Sequence, residues 1–111
     1  MKILFDQNVP RNLERHLGSH KVIRAAEMGW EELKNGDLLA AAEGGLFDLL
    51  LTCDQNLEHQ QKVIGRRIAI LALSTNNWPL IREHLAKISA AVDSAILGTY
   101  FVVDCGTFRR P

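Results

Sequence analysis

Short apolar runs and polar stretches alternate along the whole chain. Four runs have the length of a strand, at residues 2–5, 48–53, 67–73 and 100–103, and a weaker one contains Val22 and Ile23. A continuous apolar run of this length is typical of a strand covered on both faces, as in a parallel sheet. The pattern therefore predicts five short strands.

Between these runs, apolar residues recur at the spacing of a helix face. One helix is predicted after Pro10, a second begins at Asn35-Gly36-Asp37, and a long third one begins near Asn77. Their predicted buried positions are Val9, Leu13 and Leu17 in the first, Leu38, Leu39, Ala42 and Leu46 in the second, and Ile81, Leu85, Ile88, Val92 and Ile96 in the third.

Strands and helices in alternation predict an α/β fold with a mainly parallel sheet of about five strands. The 111 residues contain no internal repeat, low-complexity tract or linker. We expect a single domain over residues 1–104, followed by a short C-terminal tail over residues 105–111.

Composition restricts the classes of function. Thirteen basic and thirteen acidic residues leave no net charge, so contact with nucleic acid depends on a local basic patch. The first strand begins at Lys2, which leaves no space for a signal segment, and we expect a cytoplasmic protein. The apolar runs are too short to span a membrane, so we expect no membrane association. Cys53 and Cys105 are expected to be thiols in the core or at strand ends.

The main candidate site consists of two carboxylates. Asp6 and Asp54 each end an apolar run, and each stands two residues ahead of an asparagine, Asn8 or Asn56. Parallel strands end at the same edge of a sheet, where open α/β folds place their active sites. Two carboxylates held close together repel unless a cation or a shared proton lies between them. A divalent metal acting on a phosphate is the first chemistry to test.

Several motifs in this order resemble the small PIN-like proteins of bacteria and archaea. They are the opening Met-Lys-Ile-Leu-Phe-Asp-Gln-Asn-Val-Pro, Glu27-Met-Gly-Trp30 with Leu33-Lys-Asn-Gly-Asp-Leu-Leu39, Phe47-Asp-Leu-Leu-Leu-Thr52 into Asp54-Gln-Asn-Leu57 with Gln60-Gln61, and Arg66-Arg-Ile-Ala69. The resemblance covers nearly the whole chain, to about Val103. It implies a three-layer α/β/α PIN-like fold and, through kinship with VapC-type toxins, a metal-dependent ribonuclease of a toxin–antitoxin pair.

The resemblance also implies roles for individual residues. Asp6, Asp37 and Asp54 take the catalytic positions and hold Mg²⁺ or Mn²⁺ as the cofactor. Asn8, Asn56, Asn35 and Ser74 are candidates for binding substrate or supporting the metal ligands. The implied partners are RNA and a small antitoxin protein, and a homodimer is compatible with the resemblance.

Two departures from the family pattern keep other functions open. Many relatives carry glutamate where this chain has Gln7, and a further carboxylate where it has Asn56. A PIN-like module that has weak or no catalytic activity and binds a partner protein is therefore an alternative. A receiver-like phosphoacceptor domain is a weaker one, because Asp104-Cys105-Gly106 replaces the lysine expected after the fifth strand.

Each candidate also has a purely structural interpretation. Asn8, Asn56, Asn35 and Asp37 are all suited to capping helices, and an aspartate after a strand is a common turn residue. Ser74 suits a polar turn before the last helix. Trp30 either stacks on a base or, as the better prediction, anchors the core or an interface. Basic groups at Arg11 and Arg15 and around Lys62, Arg66 and Arg67 either guide an RNA backbone or are solvated surface charge.

Overall fold

The computed structural model describes residues 1–55 and 62–106, except the side chain of Asn35. Within these ranges there are five strands: β1 (Lys2–Phe5), β2 (Lys21–Arg24), β3 (Leu49–Thr52), β4 (Ala69–Leu73) and β5 (Tyr100–Val103). All four apolar runs and the weaker one around Val22 form strands, which confirms the prediction made from them.

The strands form one parallel sheet in the order β2-β1-β3-β4-β5. Leu51 lies opposite Phe5 on one side and Leu71 on the other, so the three central strands end almost level. The chain moves from β1 outward to β2 and then returns to the other side of β1. This reversal between β1 and β3 opens a crevice at the carboxyl ends of the two strands. The α/β class with a parallel sheet of five strands is confirmed.

Two clusters of buried residues divide the core according to the alternation of side chains along each strand. Ile3, Phe5 and Leu51 belong to one cluster, together with residues of the chain segments 9–17 and 81–92. Leu4 and Leu50 belong to the other, together with Leu38, Leu39 and Ala42. Because neighbouring strand residues face opposite ways, helical segments contribute to the core on both faces of the sheet.

The helices are shorter and less regular than the apolar spacing predicted. A 3₁₀ helix covers Arg11–His16 and another covers Ala25–Met28, while α1 covers Asn35–Gly44. The predicted long helix consists of α2 (Trp78–Arg82) and α3 (Leu85–Asp93), separated at Glu83 and His84.

The single long helix was wrong at two points. His84, with φ −122° and ψ 23°, leaves helical geometry between the two segments, and its Nδ1 lies 2.9 Å from the Leu80 carbonyl oxygen. Ile96 lies beyond the end of α3 and is exposed rather than buried. The predicted apolar residues Val9, Leu13 and Leu17 are all buried, although only Leu13 lies within the 3₁₀ helix. The burial prediction is therefore confirmed, and the predicted helix type and length are wrong.

No helix in the described ranges is long and apolar enough to cross a membrane. Both cysteines are free thiols: Cys105 is fully buried and Cys53 is partly buried at the end of β3.

Candidate active site

Asp6 and Asp54 follow adjacent strands at the reversal of strand order. The Asp6 amide donates to the Leu51 carbonyl oxygen at 2.9 Å, which continues the β1–β3 hydrogen bonds one residue beyond β1. Asp54 lies two residues beyond the end of β3. Both residues therefore lie at the crevice that this topology opens.

The buried hydroxyl of Thr52 joins the two aspartate loops. It donates to Asp6 Oδ2 at 2.8 Å and accepts from the Asp54 amide at 3.1 Å. The other carboxylate oxygen of Asp6 accepts from the Gln7 amide at 2.8 Å. The orientation of the Asp6 carboxylate is thus fixed from both sides, and one threonine sets its position relative to the Asp54 backbone.

Asn8 makes a second connection between the loops. Its side-chain oxygen accepts a hydrogen bond from the Cys53 amide at 3.0 Å. The residue before the first 3₁₀ helix is Pro10, and no side chain caps that helix. The capping interpretation of Asn8 is therefore wrong: its amide holds the loop after β3 against the loop after β1.

The two carboxylates line one cleft of about 290 Å³. The residues around this carboxylate cleft are Asp6, Gln7, Asn8, Glu31, Leu33, Lys34 and Asp54. Three of these side chains are acidic and one is basic, so the cleft is negatively charged. A phosphate approaching it is repelled unless a cation is also present.

The donor set suits a small hard cation. Mg²⁺ prefers oxygen ligands and is usually held by one or two carboxylates, with water and substrate phosphate completing its coordination. Asp6 and Asp54 supply two such carboxylates in one cleft. Within residues 1–55 and 62–106, no group of three or more histidine, cysteine, aspartate or glutamate side chains is arranged to hold a metal ion. The arrangement therefore fits a two-carboxylate site better than a cage of protein ligands.

Asp37 does not line the carboxylate cleft. It lies exposed in the first turn of α1, where its negative charge interacts favourably with the helix dipole. The residue before α1 is Lys34, whose side chain forms no capping hydrogen bond, and Asp37 lies within the first turn, so the capping interpretation of Asp37 is wrong. The other two predicted residues in these segments cannot be placed: Asn56 and the side chain of Asn35 lie outside the described residues.

Ser74 lies at the end of β4 and binds the loop after β5 rather than the carboxylate cleft. Its hydroxyl accepts from the Cys105 amide at 2.8 Å and donates to the Gly106 carbonyl oxygen at 3.1 Å. Beyond it, Asn77 caps α2 by accepting from the Leu80 amide at 3.2 Å. These contacts are those of a polar turn leading into a helix.

Two other candidates have structural contacts. Trp30 is partly buried against the core and meets the Phe47 ring edge-on, with ring centroids 6.0 Å apart, which confirms the core-anchor prediction. Arg66 donates to Glu43 at 3.0 Å, and this bond ties the segment before β4 to α1.

Tyr100 lies within electrostatic range of the site. Burial and, to a smaller extent, the Asp54 carboxylate raise the pKa of its hydroxyl. The phenol therefore remains protonated at neutral pH and can donate a hydrogen bond.

Sequence reasoning missed Glu31, Lys34 and the role of Thr52. Glu31 and Lys34 belong to an irregular segment without periodicity, so no pattern indicated which way they face. Thr52 had a usable signal: a threonine two residues before an aspartate at a strand end is placed to accept that aspartate's backbone N–H.

No protein-family model matches the chain, and no curated protein or solved structure matches it significantly. The functional argument therefore depends on the residues of the carboxylate cleft and on their surroundings.

Proposed function

We propose that this protein is a ribonuclease that hydrolyses phosphodiester bonds in RNA with Mg²⁺ or Mn²⁺, acting in the cytoplasm as the toxin of a toxin–antitoxin pair. The observation that carries the nuclease proposal is the placement of Asp6 and Asp54 in one cleft at the reversal of strand order. The toxin role, the antitoxin partner and a homodimer come from the sequence resemblance alone.

Asp6 and Asp54 would hold the cation through their carboxylate oxygens. The metal supplies charge neutralisation of the scissile phosphate and a bound water of lowered pKa. Each Asp6 oxygen accepts one hydrogen bond and has a further lone pair. The bonds from Gln7 and Thr52 therefore orient the carboxylate and leave its oxygens able to bind a metal ion. Those fixed bonds reduce the reorganisation needed when substrate binds.

Two other charged side chains line the carboxylate cleft beside Asp6 and Asp54. Glu31 adds a third carboxylate to the lining and is suited to accept a hydrogen bond from water in the cleft. Lys34 supplies a positive charge that attracts phosphate. Asp37, exposed at the start of α1, keeps its proposed role only if it orients water from outside the carboxylate cleft.

The test is cleavage of a fluorescent single-stranded RNA by the pure protein during titration with Mg²⁺ or Mn²⁺. Asp6→Asn and Asp54→Asn should each reduce the rate by more than about 100-fold, because even changes outside the metal ligands commonly cost 10–100-fold. Asp37→Asn measures the contribution of that residue separately. Asp93→Asn is the matched control, since Asp93 is an exposed aspartate that pairs with His20 and does not line the carboxylate cleft.

A second candidate is an inactive module of the same fold that binds a partner protein. It is favoured by Gln7, a neutral residue in the lining of the carboxylate cleft, and by the lack of a three-residue metal group in the described residues. Calorimetric titration of Mn²⁺ discriminates the two. If wild type and both aspartate variants bind the metal equally weakly and leave RNA intact, the nuclease proposal is rejected in favour of the binding module.

The receiver-like alternative has no specific contact in its favour. The Ser74 hydroxyl is already bonded to the loop after β5, and the residues that follow β5 are Asp104, Cys105 and Gly106. Acid-labile phosphorylation that requires Asp54 would revive it.

A further inference from the structure

Two further clefts continue from the carboxylate cleft towards β2. The first is about 330 Å³ and shares Asp6 and Gln7 with the carboxylate cleft. The second is about 480 Å³ and shares Arg11 and Arg24 with the first. Because each cleft shares residues with the next, the three adjoin in a row that leads away from the carboxylates, and we call this row the groove.

The far end of this groove is basic. The lining of its last cleft includes Arg11, Arg15 and Arg24 with one acidic residue, Glu14. In a chain with no net charge, three arginines against one glutamate form a local concentration of positive charge. Arginine presents a planar fork of donors that matches phosphate oxygens.

The arginines belong to ordered elements that are packed against the core. Arg11 and Arg15 belong to the first 3₁₀ helix, whose Leu13 is fully buried. Neither arginine side chain pairs with a carboxylate in the described residues. Arg24 ends β2 and forms an ion pair with Glu27 at 3.0 Å, on a partly exposed surface where such pairs contribute little. Arg11 and Arg15 are therefore available to a ligand, and Arg24 can exchange its exposed pair with Glu27 for a phosphate.

We propose that Arg11, Arg15 and Arg24 form a phosphate-binding arm for single-stranded RNA, leading the strand to the carboxylate cleft. This inference rests on the proposed function, because the carboxylate cleft supplies the reaction at the end of the groove. The three clefts, of about 290, 330 and 480 Å³, follow one another in a line, as the path of one strand would require.

An acidic protein segment is the main competing ligand, and the groove disfavours it. Such a segment would gain from the arginines but would be repelled farther along by Asp6, Asp54 and Glu31. An RNA strand would meet the same carboxylates, but there the cation that Asp6 and Asp54 would hold would neutralise its phosphate. Of the two polyanions, only RNA therefore fits both the arginines and the carboxylates of the groove.

The test measures RNA binding without cleavage. The protein carries Asp6→Asn and Asp54→Asn, and the probe is a fluorescein-labelled oligouridylate of about ten nucleotides. Fluorescence anisotropy gives the dissociation constant over a range of salt concentrations. Three phosphate contacts predict a slope of about −2 for log affinity against log salt, and loss of one contact reduces its magnitude by about 0.7.

Arg11→Ala, Arg15→Ala and Arg24→Ala should each weaken binding about 5–10-fold and reduce the salt slope as stated. Arg82→Ala is the matched control, because Arg82 is an exposed arginine in α2 that lines none of the three clefts. Urea denaturation of each variant establishes that it is folded. The proposal is overturned if the groove variants bind RNA like Arg82→Ala, if no variant or parent binds RNA, or if a polyglutamate peptide binds the wild-type protein as tightly through the same arginines.

Failure of this inference is distinguishable from failure of the proposed function. If RNA binding depends on the arginines while the wild-type protein with Mg²⁺ or Mn²⁺ leaves RNA intact, the arm is supported and the nuclease proposal fails. If the wild-type protein cleaves RNA and the arginine variants cleave it with unchanged KM, the nuclease proposal is supported and the arm is rejected.

Discussion

Replacing Thr52 by valine tests the link between the two aspartate loops. The hydroxyl makes two hydrogen bonds at a position that is 1% exposed, one of them to the Asp6 carboxylate. A bond to a charged group contributes about 1.5–3 kcal/mol and a neutral bond about 0.5–1.5 kcal/mol. The additional buried methyl group of valine offsets about 0.8 kcal/mol. Because Asp6 is only partly buried, we expect the free energy of unfolding to fall by about 1–2 kcal/mol.

Urea denaturation followed by tryptophan fluorescence measures this loss, and Tm should fall by about 5–10 °C. Thr52→Ser is the control, because it keeps the hydroxyl and removes only the methyl group. A double-mutant cycle with Asp6→Ala separates the bond from general packing, and we expect a coupling of about 1 kcal/mol. If the two changes add within about 0.5 kcal/mol, Thr52 does not stabilise the fold through Asp6 and the reasoning is refuted. Affinity for Mn²⁺ should also fall about 10–100-fold in Thr52→Val and remain in Thr52→Ser.

Three further predictions concern parts of the chain outside the proposed metal ligands. Leu46 was predicted to be buried in the second helix, but it lies beyond the end of α1 and is 79% exposed with φ +63°. This conformation costs L-residues about 1–2 kcal/mol, so Leu46→Gly should raise the free energy of unfolding by about 0.5–1 kcal/mol. No gain in urea denaturation would contradict this. Burial raises the pKa of the Cys53 thiol to about 12, which leaves a thiolate fraction of about 10⁻⁴ at pH 8. Iodoacetamide should therefore modify Cys53 in the native protein at least 100-fold more slowly than free cysteine, and comparable rates would refute the burial argument. The hydrogen bond from the Gly106 amide lowers the pKa of the Asp104 carboxyl group. The stability that this bond gives to the fold is therefore complete above the ordinary pKa of 3.8 and is lost as the pH falls through the lowered pKa. Asp104→Asn should therefore reduce the loss of stability between neutral pH and about pH 3, and an unchanged pH profile would contradict the prediction.

β1, β3 and β4 were predictable from the sequence because each is a continuous apolar run, and burial on both faces leaves few other structures for such a run. The edge strands β2 and β5 are only partly buried, and their short apolar runs alone indicated them. The helices were less predictable. Ile81, Leu85, Ile88 and Val92 fit one helix face, and the break at His84 leaves this spacing nearly intact, so the pattern cannot reveal it. The first helix shows the same limit, because Leu13 in the 3₁₀ helix and Leu17 directly after it are buried as they would be in an α-helix.

The residues of the candidate site were also predictable only in part. Asp6 and Asp54 were found because strand ends of a parallel sheet share an edge, which is a property of the fold class. Glu31 lines the same cleft through the path of an irregular loop, and that path is set by contacts such as the Trp30 packing that no local pattern encodes. Asp37 does not line the cleft, and the reason is the same. Its match to the family motif predicted that it lies at the start of a helix, but not which way its side chain faces.

Asp6 and Asp54 differ in how many hydrogen bonds their carboxylates accept. This difference allows an effect on stability to be distinguished from an effect on metal binding. Both oxygens of Asp6 accept hydrogen bonds that hold its loop, so its substitution should cost stability as well as activity. The Asp54 carboxylate is exposed and accepts no hydrogen bond from any described residue, so a structural role does not explain it. Asp54→Asn should therefore change the free energy of unfolding by less than about 0.5 kcal/mol while it weakens Mn²⁺ binding. A loss above about 1 kcal/mol with unchanged metal affinity would make Asp54 a turn residue, and the metal site would lose one of its two ligands.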